Sequence, residues 1–116
     1  MHHARGLLRE SGDEKLVSGL KRNPRTVAVP PRQRALLDYV IQLTEAPWAV
    51  TEDLVAGMRS AGYSDEAIAT ANFVTGFFAW CNRVIDGLGV PLEDYWGEDI
   101  RAREETVKRT PPWSVD

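Results

Sequence analysis

Five side chains in this 116-residue chain have types that could do chemistry: His3, Cys81, Asn82, Arg83 and Asp86. His3 sits beside His2, and adjacent histidines on a helix point to different faces. They therefore cannot act as an i, i+4 metal pair; alone, near a chain end, such residues are most often solvated. Cys81 is the single cysteine of the chain, so no internal disulfide and no Cys-rich zinc site is available. A reactive thiolate needs a nearby cation or a helix N-terminus. Arg83 is close in sequence but points elsewhere on a helix, so Cys81 reads as a small core hydrophobe. Asn82 and Asp86 are four apart and share a helical face, with Arg83 beside them. This trio could bind a substrate carboxylate or mark a subunit contact. The plainer alternative is a buried or half-buried ion pair that fixes helix packing, with Asp38 or Glu52 as partner.

The element that must position these groups is the stretch from Ser64 to Val90. Ser64 is a good N-cap, and Asp65 and Glu66 complement the positive end of the dipole. Gly87 and Gly89 are left-handed cap candidates, with Pro91 beyond. Phe73 to Cys81 is apolar on nearly every face, and a helix apolar all round is expected to be buried all round. A long central helix over about 64–88 is therefore expected, with the other helices packed around it.

Earlier elements carry their own boundary signals. Ala4, Leu7 and Leu8 share a helical face over residues 2–11, closed by Gly12. No cap precedes this helix. Asp13 can cap a short helix with Leu16, Val17 and Leu20 inward, and Asn23-Pro24 breaks it. Pro30-Pro31 opens a helix over 31–46, with Leu36, Leu37, Val40, Ile41 and Leu43 as its apolar stripe. Arg32, Arg34, Asp38 and Gln42 form its wet one. Thr51 caps the next helix, with Leu54, Val55 and Met58 inward. Gly62 then turns the chain into Ser64. A last amphipathic helix follows Pro91 to about Lys108, with Leu92, Trp96, Ile100, Arg103 and Val107 on one side. Val27-Ala28-Val29, the only β-like patch, is too short and too close to two prolines to make a strand. The expected fold class is all-α, five to six helices, in a single domain over 1–108 with an extended tail over 109–116.

Bulk properties narrow the function classes. A length of 116 residues argues for one domain, and 43% hydrophobic residues allow a real core. A net charge of −3 and a pI near 5.4 argue against a nucleic-acid partner. Residues 51–80 look like a helix-turn-helix, but the second helix carries Phe73, Val74, Phe77, Phe78 and Trp80, where a DNA reader needs polar and basic groups. No apolar run is long enough to span a membrane and no signal peptide is visible, so a cytoplasmic protein is expected. Trp48, Trp96 and Trp113 lie at helix edges or in the tail, where amphipathic rings often serve subunit contacts. A homo-oligomer (dimer, trimer or hexamer) is the expected partner state. No cofactor and no metal is expected.

Several segments in fixed order resemble one family. They are Pro31-Arg-Gln-Arg-Ala-Leu-Leu-Asp-Tyr-Val, Leu43-Thr, Val50-Thr-Glu-Asp-Leu, Ala61-Gly-Tyr-Ser-Asp-Glu-Ala-Ile, and Asn82-Arg-Val-Ile-Asp-Gly-Leu-Gly-Val. Together they resemble the carboxymuconolactone decarboxylase superfamily, more closely its alkylhydroperoxidase D-like, peroxidase-related branch. The likeness covers roughly residues 2–96. It implies an AhpD-like helical bundle and thiol-dependent reduction of a hydroperoxide substrate by a Cys-x-x-Cys-x-x-x-His motif with an upstream glutamate. One thiolate attacks the hydroperoxide, the other resolves it to a disulfide, and the histidine and glutamate relay protons. His-His-Ala-Arg-Gly-Leu-Leu-Arg-Glu resembles the end of that motif, with His3 at the histidine. Both motif cysteines and the glutamate are missing, and the second cysteine would fall two residues before Met1. The resemblance therefore implies a chain N-terminally truncated within the catalytic helix, either through its assigned start or as a natural remnant. Three functions follow as expectations. The first is an alkylhydroperoxidase-like protein whose redox pair lies outside this chain. The second is a non-catalytic helical oligomerisation module. The third is a decarboxylase-like binder of small organic acids using His3, Asn82, Arg83 and Asp86.

Overall fold

The computed structural model describes residues 2–91, without the side chain of His2. Every regular element among them is helical: α1 His2–Ser11, α2 Glu14–Arg22, α3 Pro31–Glu45, a 3-10 turn Pro47–Ala49, α4 Glu52–Ser60 and α5 Asp65–Gly87. The all-α expectation is met. The expected last helix and the tail lie outside the described residues. The described residues fall into two units, divided after Cys81.

Local chemistry sets the helix ends. The Asp13 carboxylate accepts the Leu16 N–H at 2.9 Å, and Thr51 Oγ1 accepts that of Leu54 at 3.4 Å. Ser64 Oγ accepts the Ala67 N–H at 3.1 Å. Each satisfies one of the first-turn donors that a helix leaves open. Pro31 opens α3 at a position where no amide is needed. Between α4 and α5, Gly62 has φ 95. Its N–H reaches Arg59 O at 2.9 Å and the Tyr63 N–H reaches Met58 O at 3.1 Å. That pair is a Schellman cap, which needs a left-handed residue at this point.

The centre of the first unit is where α3, α4 and the start of α5 meet. Met58 is completely buried there, beside Tyr39 and Ile68. Leu36, Val40, Leu43, Val50, Leu54, Val55, Tyr63 and Ala71 pack around them, half-buried. Tyr39 keeps its hydroxyl satisfied by accepting from Asn72 Nδ2 at 3.1 Å, so its ring can be buried without an orphaned polar group. The α3 stripe read from the sequence omitted Tyr39, which with Ile41 is the most buried residue of that helix.

Burial of α5 departs from expectation. The helix forms with the expected limits, but only Ile68 on it is buried. Phe73, Val74, Phe77, Phe78 and Trp80 are all exposed. The helix turns its small residues Ala67, Ala71, Thr75 and Ala79 inward, half-buried, and its large ones outward. Small side chains let a helix lie close to its neighbours. Among the described residues no further layer covers the opposite face.

Arg34, expected on the wet face of α3, does structural work instead. Its guanidinium donates to Pro24 O at 3.0 Å and Val27 O at 2.8 Å, and pairs with Asp38 at 3.2 Å. It thus ties the connector between α2 and α3 to the side of α3. Arg25 and Glu45 form a further ion pair from the same connector to the end of α3. Gly19 lies so close to the connector that a Cβ there would come within 2.5 Å of Val27 Cγ2.

Two substitutions test this packing. Met58→Ala removes the fully buried side chain and is expected to cost about 2–5 kcal/mol, read from the denaturant midpoint at unchanged slope. Arg34→Lys keeps the charge but loses the fork that spans two carbonyls. A cost of about 1.5–3 kcal/mol is expected, and equal stability would show that the connector holds without it.

Candidate functional site

His3 lies in the first turn of α1 and is exposed. Its ring meets the edge of the Phe78 ring in a T-shaped contact, centroids 4.9 Å apart with planes at 80°. This contact joins the start of α1 to the middle of α5. Phe78 in turn packs edge-on against Phe77, with centroids at 5.5 Å, and Phe77 lies 6.3 Å from Trp80. Phe78 and Cys81 are three apart on α5 and so share a helical face. Cys81 is a free thiol and half-buried, less enclosed than the core position expected for it.

The same helix contributes to a feature the sequence does not announce. Leu7, one helical turn further along α1, lines an apolar groove of 220 Å³ with Leu16, Leu20, Val29, Gln33, Leu36 and Leu37. The walls come from α1, α2, the connector and α3. Those leucines belong to the inward stripes of their helices, and a stripe reads alike whether it closes a core or lines an open cleft. A larger hollow of 430 Å³ lies between α2 and the connector, with Asp13, Lys15, Arg22 and Asn23 among its walls. None of the five chemistry candidates lines it.

Asn82, Arg83 and Asp86 stand on the last turns of α5, in the second unit, and all three are exposed. The buried or half-buried ion pair considered for them is therefore not met. Asp38 is engaged by Arg34 within α3. The second unit closes α5 with its own Schellman cap. Gly89, at φ 64, donates to Asp86 O and Val90 to Ile85 O, both at 3.1 Å. Among the described residues no group of His, Cys, Asp or Glu is arranged to hold a metal ion, and no helix is long and apolar enough to cross a membrane.

No family model and no curated protein matches this sequence. Among solved structures, the chain is similar to the alkylhydroperoxidase AhpD core of an uncharacterized peroxidase-related protein from Ralstonia eutropha JMP134. The TM-score is 0.69 at 27% sequence identity, over 79% of this chain. This chain is AhpD-like. The likeness supports the relationship that its segments suggested, and the all-α bundle with it. The AhpD-like chain spans 48% of the length of that relative.

The His3–Phe78 contact is open to measurement. A double-mutant cycle with His3→Ala and Phe78→Ala is expected to give a coupling of about 0.5–1.5 kcal/mol, from the unfolding free energies of the four chains. Strict additivity would mean that α1 and α5 are not joined through these rings.

Proposed function

We propose that this chain is the helical scaffold of an alkylhydroperoxidase-like, peroxidase-related protein, with His3 as a proton donor and the redox dithiol supplied from outside these 116 residues. The observation that carries the reading is the likeness to the AhpD core, whose description names a peroxidase-related protein. The placement of His3 supports it. The imidazole stands in the first turn of α1, exposed, one turn from the apolar groove that starts at Leu7. An organic hydroperoxide has an apolar body and a polar reacting end, and an apolar groove one turn along α1 from an imidazole offers a partner for each.

In this reading a thiolate attacks the terminal peroxide oxygen, and the O–O bond breaks. The departing alkoxide takes a proton from His3 and leaves as an alcohol. The sulfenic acid formed then condenses with a second thiol, giving a disulfide and water. An external dithiol returns two electrons and two protons. The cycle needs two cysteines within reach of each other, and the 116 residues hold Cys81 alone. The missing pair comes from a segment joined ahead of His3 or from a partner chain.

The single cysteine also supports a second reading, a helical interaction module with no redox role. Turnover separates the two. The 116 residues alone are expected to show no catalytic, thiol-dependent reduction of an organic hydroperoxide. A chain carrying a Cys-x-x-Cys segment placed so that its second cysteine is four residues before His3 is expected to turn over. His3→Gln in that chain should slow it by about 10²–10⁴-fold. An extended chain that folds and cycles its disulfide but leaves the hydroperoxide intact would overturn the peroxidase reading in favour of the interaction module.

A further inference from the structure

Eight of the 14 Lys and Arg in the chain fall within the first 34 residues, against three of its 17 Asp and Glu. A positive balance of this kind draws anions to that part of the surface. Four of those cations are already engaged. Arg9 pairs with Glu10, Arg25 with Glu45, and Arg34 with Asp38 and the connector carbonyls; Arg32 lies over the Tyr63 ring. Lys15 and Arg22 differ. Both are exposed, neither is held by an acid among the described residues, and both line the 430 Å³ hollow between α2 and the connector. Gly19 stands four residues after Lys15 and three before Arg22, so the three share one face of α2, and no side chain rises between the two cations. A second hollow of 350 Å³ runs past the same three residues, with Glu14 and Ser18.

We propose that the hollow between α2 and the connector binds a small organic phosphate, with Lys15 and Arg22 on the phosphoryl group. The donor set favours phosphate over carboxylate. The Arg22 guanidinium is a planar fork that matches two phosphate oxygens, and Lys15 adds a compact ammonium charge. Thr26 contributes a hydroxyl to the same wall. Asn23 Oδ1 already accepts the Arg25 N–H at 2.9 Å, which leaves its Nδ2 as a donor. Two cations and two neutral donors suit a group with three oxygens and nearly two charges better than one with two oxygens and one. Asp13, the one acid among the lining residues, is turned to the Leu16 N–H that it caps. Size points to more than a bare ion. A volume of 430 Å³ falls within the range of about 300–1,000 Å³ that small-molecule sites occupy. Leu16, Val27 and Ala28 supply apolar wall for the body of the ligand. The site does not depend on the peroxidase reading, because neither His3 nor Cys81 lines it and its readout is binding rather than turnover.

Titration of the 116-residue chain with phenyl phosphate, followed by amide chemical shifts in proton–nitrogen NMR spectra, tests it. Saturable shifts are expected, concentrated between Asp13 and Ala28. Benzoate and inorganic phosphate should each bind about 10-fold more weakly or worse. Lys15→Gln and Arg22→Gln, each confirmed helical by circular dichroism, should raise the Kd for phenyl phosphate by about 10-fold or more. Both side chains are exposed, so the fold does not need them. Lys21→Gln removes the same charge from the same helix at a residue outside both hollows, and should leave the Kd within about 2-fold. Absence of saturable shifts at millimolar phenyl phosphate would overturn the proposal, as would shifts centred outside this segment. Equal losses in all three variants would reduce the effect to general charge attraction and overturn it too. Benzoate binding as tightly as phenyl phosphate would replace it with a carboxylate site, and inorganic phosphate doing so with a bare-ion site.

Discussion

The burial of Met58 is the constraint on which the first unit depends. It is the only described side chain with no exposure at all, and it sits where α3, α4 and the start of α5 converge. A flexible thioether fills such an irregular junction well. Tyr39 and Ile68 close on it from the two flanking helices. The α4–α5 turn is built around the same point, since the Tyr63 amide caps the carbonyl of Met58 itself. Side-chain burial and backbone closure thus coincide at one residue. The ends of α4 and α5 are fixed relative to the core by a turn that cannot relax without disturbing it.

Away from that junction, polar contacts replace burial. Arg34 grips two connector carbonyls, Tyr63 donates its hydroxyl to Arg32 O at 3.2 Å, and the Arg32 guanidinium lies 4.7 Å over the Tyr63 ring. Arg59 pairs with Asp65 across the α4–α5 turn at 2.7 Å. Exposed pairs of this kind contribute little individually. Arg34 differs because it is half-buried and satisfies carbonyls that no helix accommodates.

Helix limits were legible because caps are local chemistry. Asp13, Thr51, Ser64 and Gly62 act within three residues of where they stand, and each was recognisable from its neighbours alone. What the pattern of apolar residues could not convey was the side of a surface on which water lies. The run from Phe73 to Trp80 said only that something must cover it, and in the single chain nothing among the described residues does. The leucines around Leu7 posed the same ambiguity in reverse, lining a cleft where a filled interior was expected. Tyr39 and Arg34 were misread because both are amphipathic. The burial of one ring and the reach of the other side chain are decided by tertiary neighbours. His3 could be placed in a chemical role only through likeness to a family, since nothing in its immediate sequence distinguishes it from a solvated residue near a terminus.

The tie made by Arg34 also bears on how the molecule opens. The core around Met58 draws on residues between Leu36 and Ala71, so it lies wholly downstream of the connector. The α1–α2 pair sits outside that core, with Val17 as its one buried side chain. Segments with few buried contacts exchange their amides by sub-global opening, well below the free energy of full unfolding. Such an opening of α1 and α2 would leave the core around Met58 intact. His3 rides on the part with fewer buried contacts, so an opening of that part would take the imidazole away from Phe78.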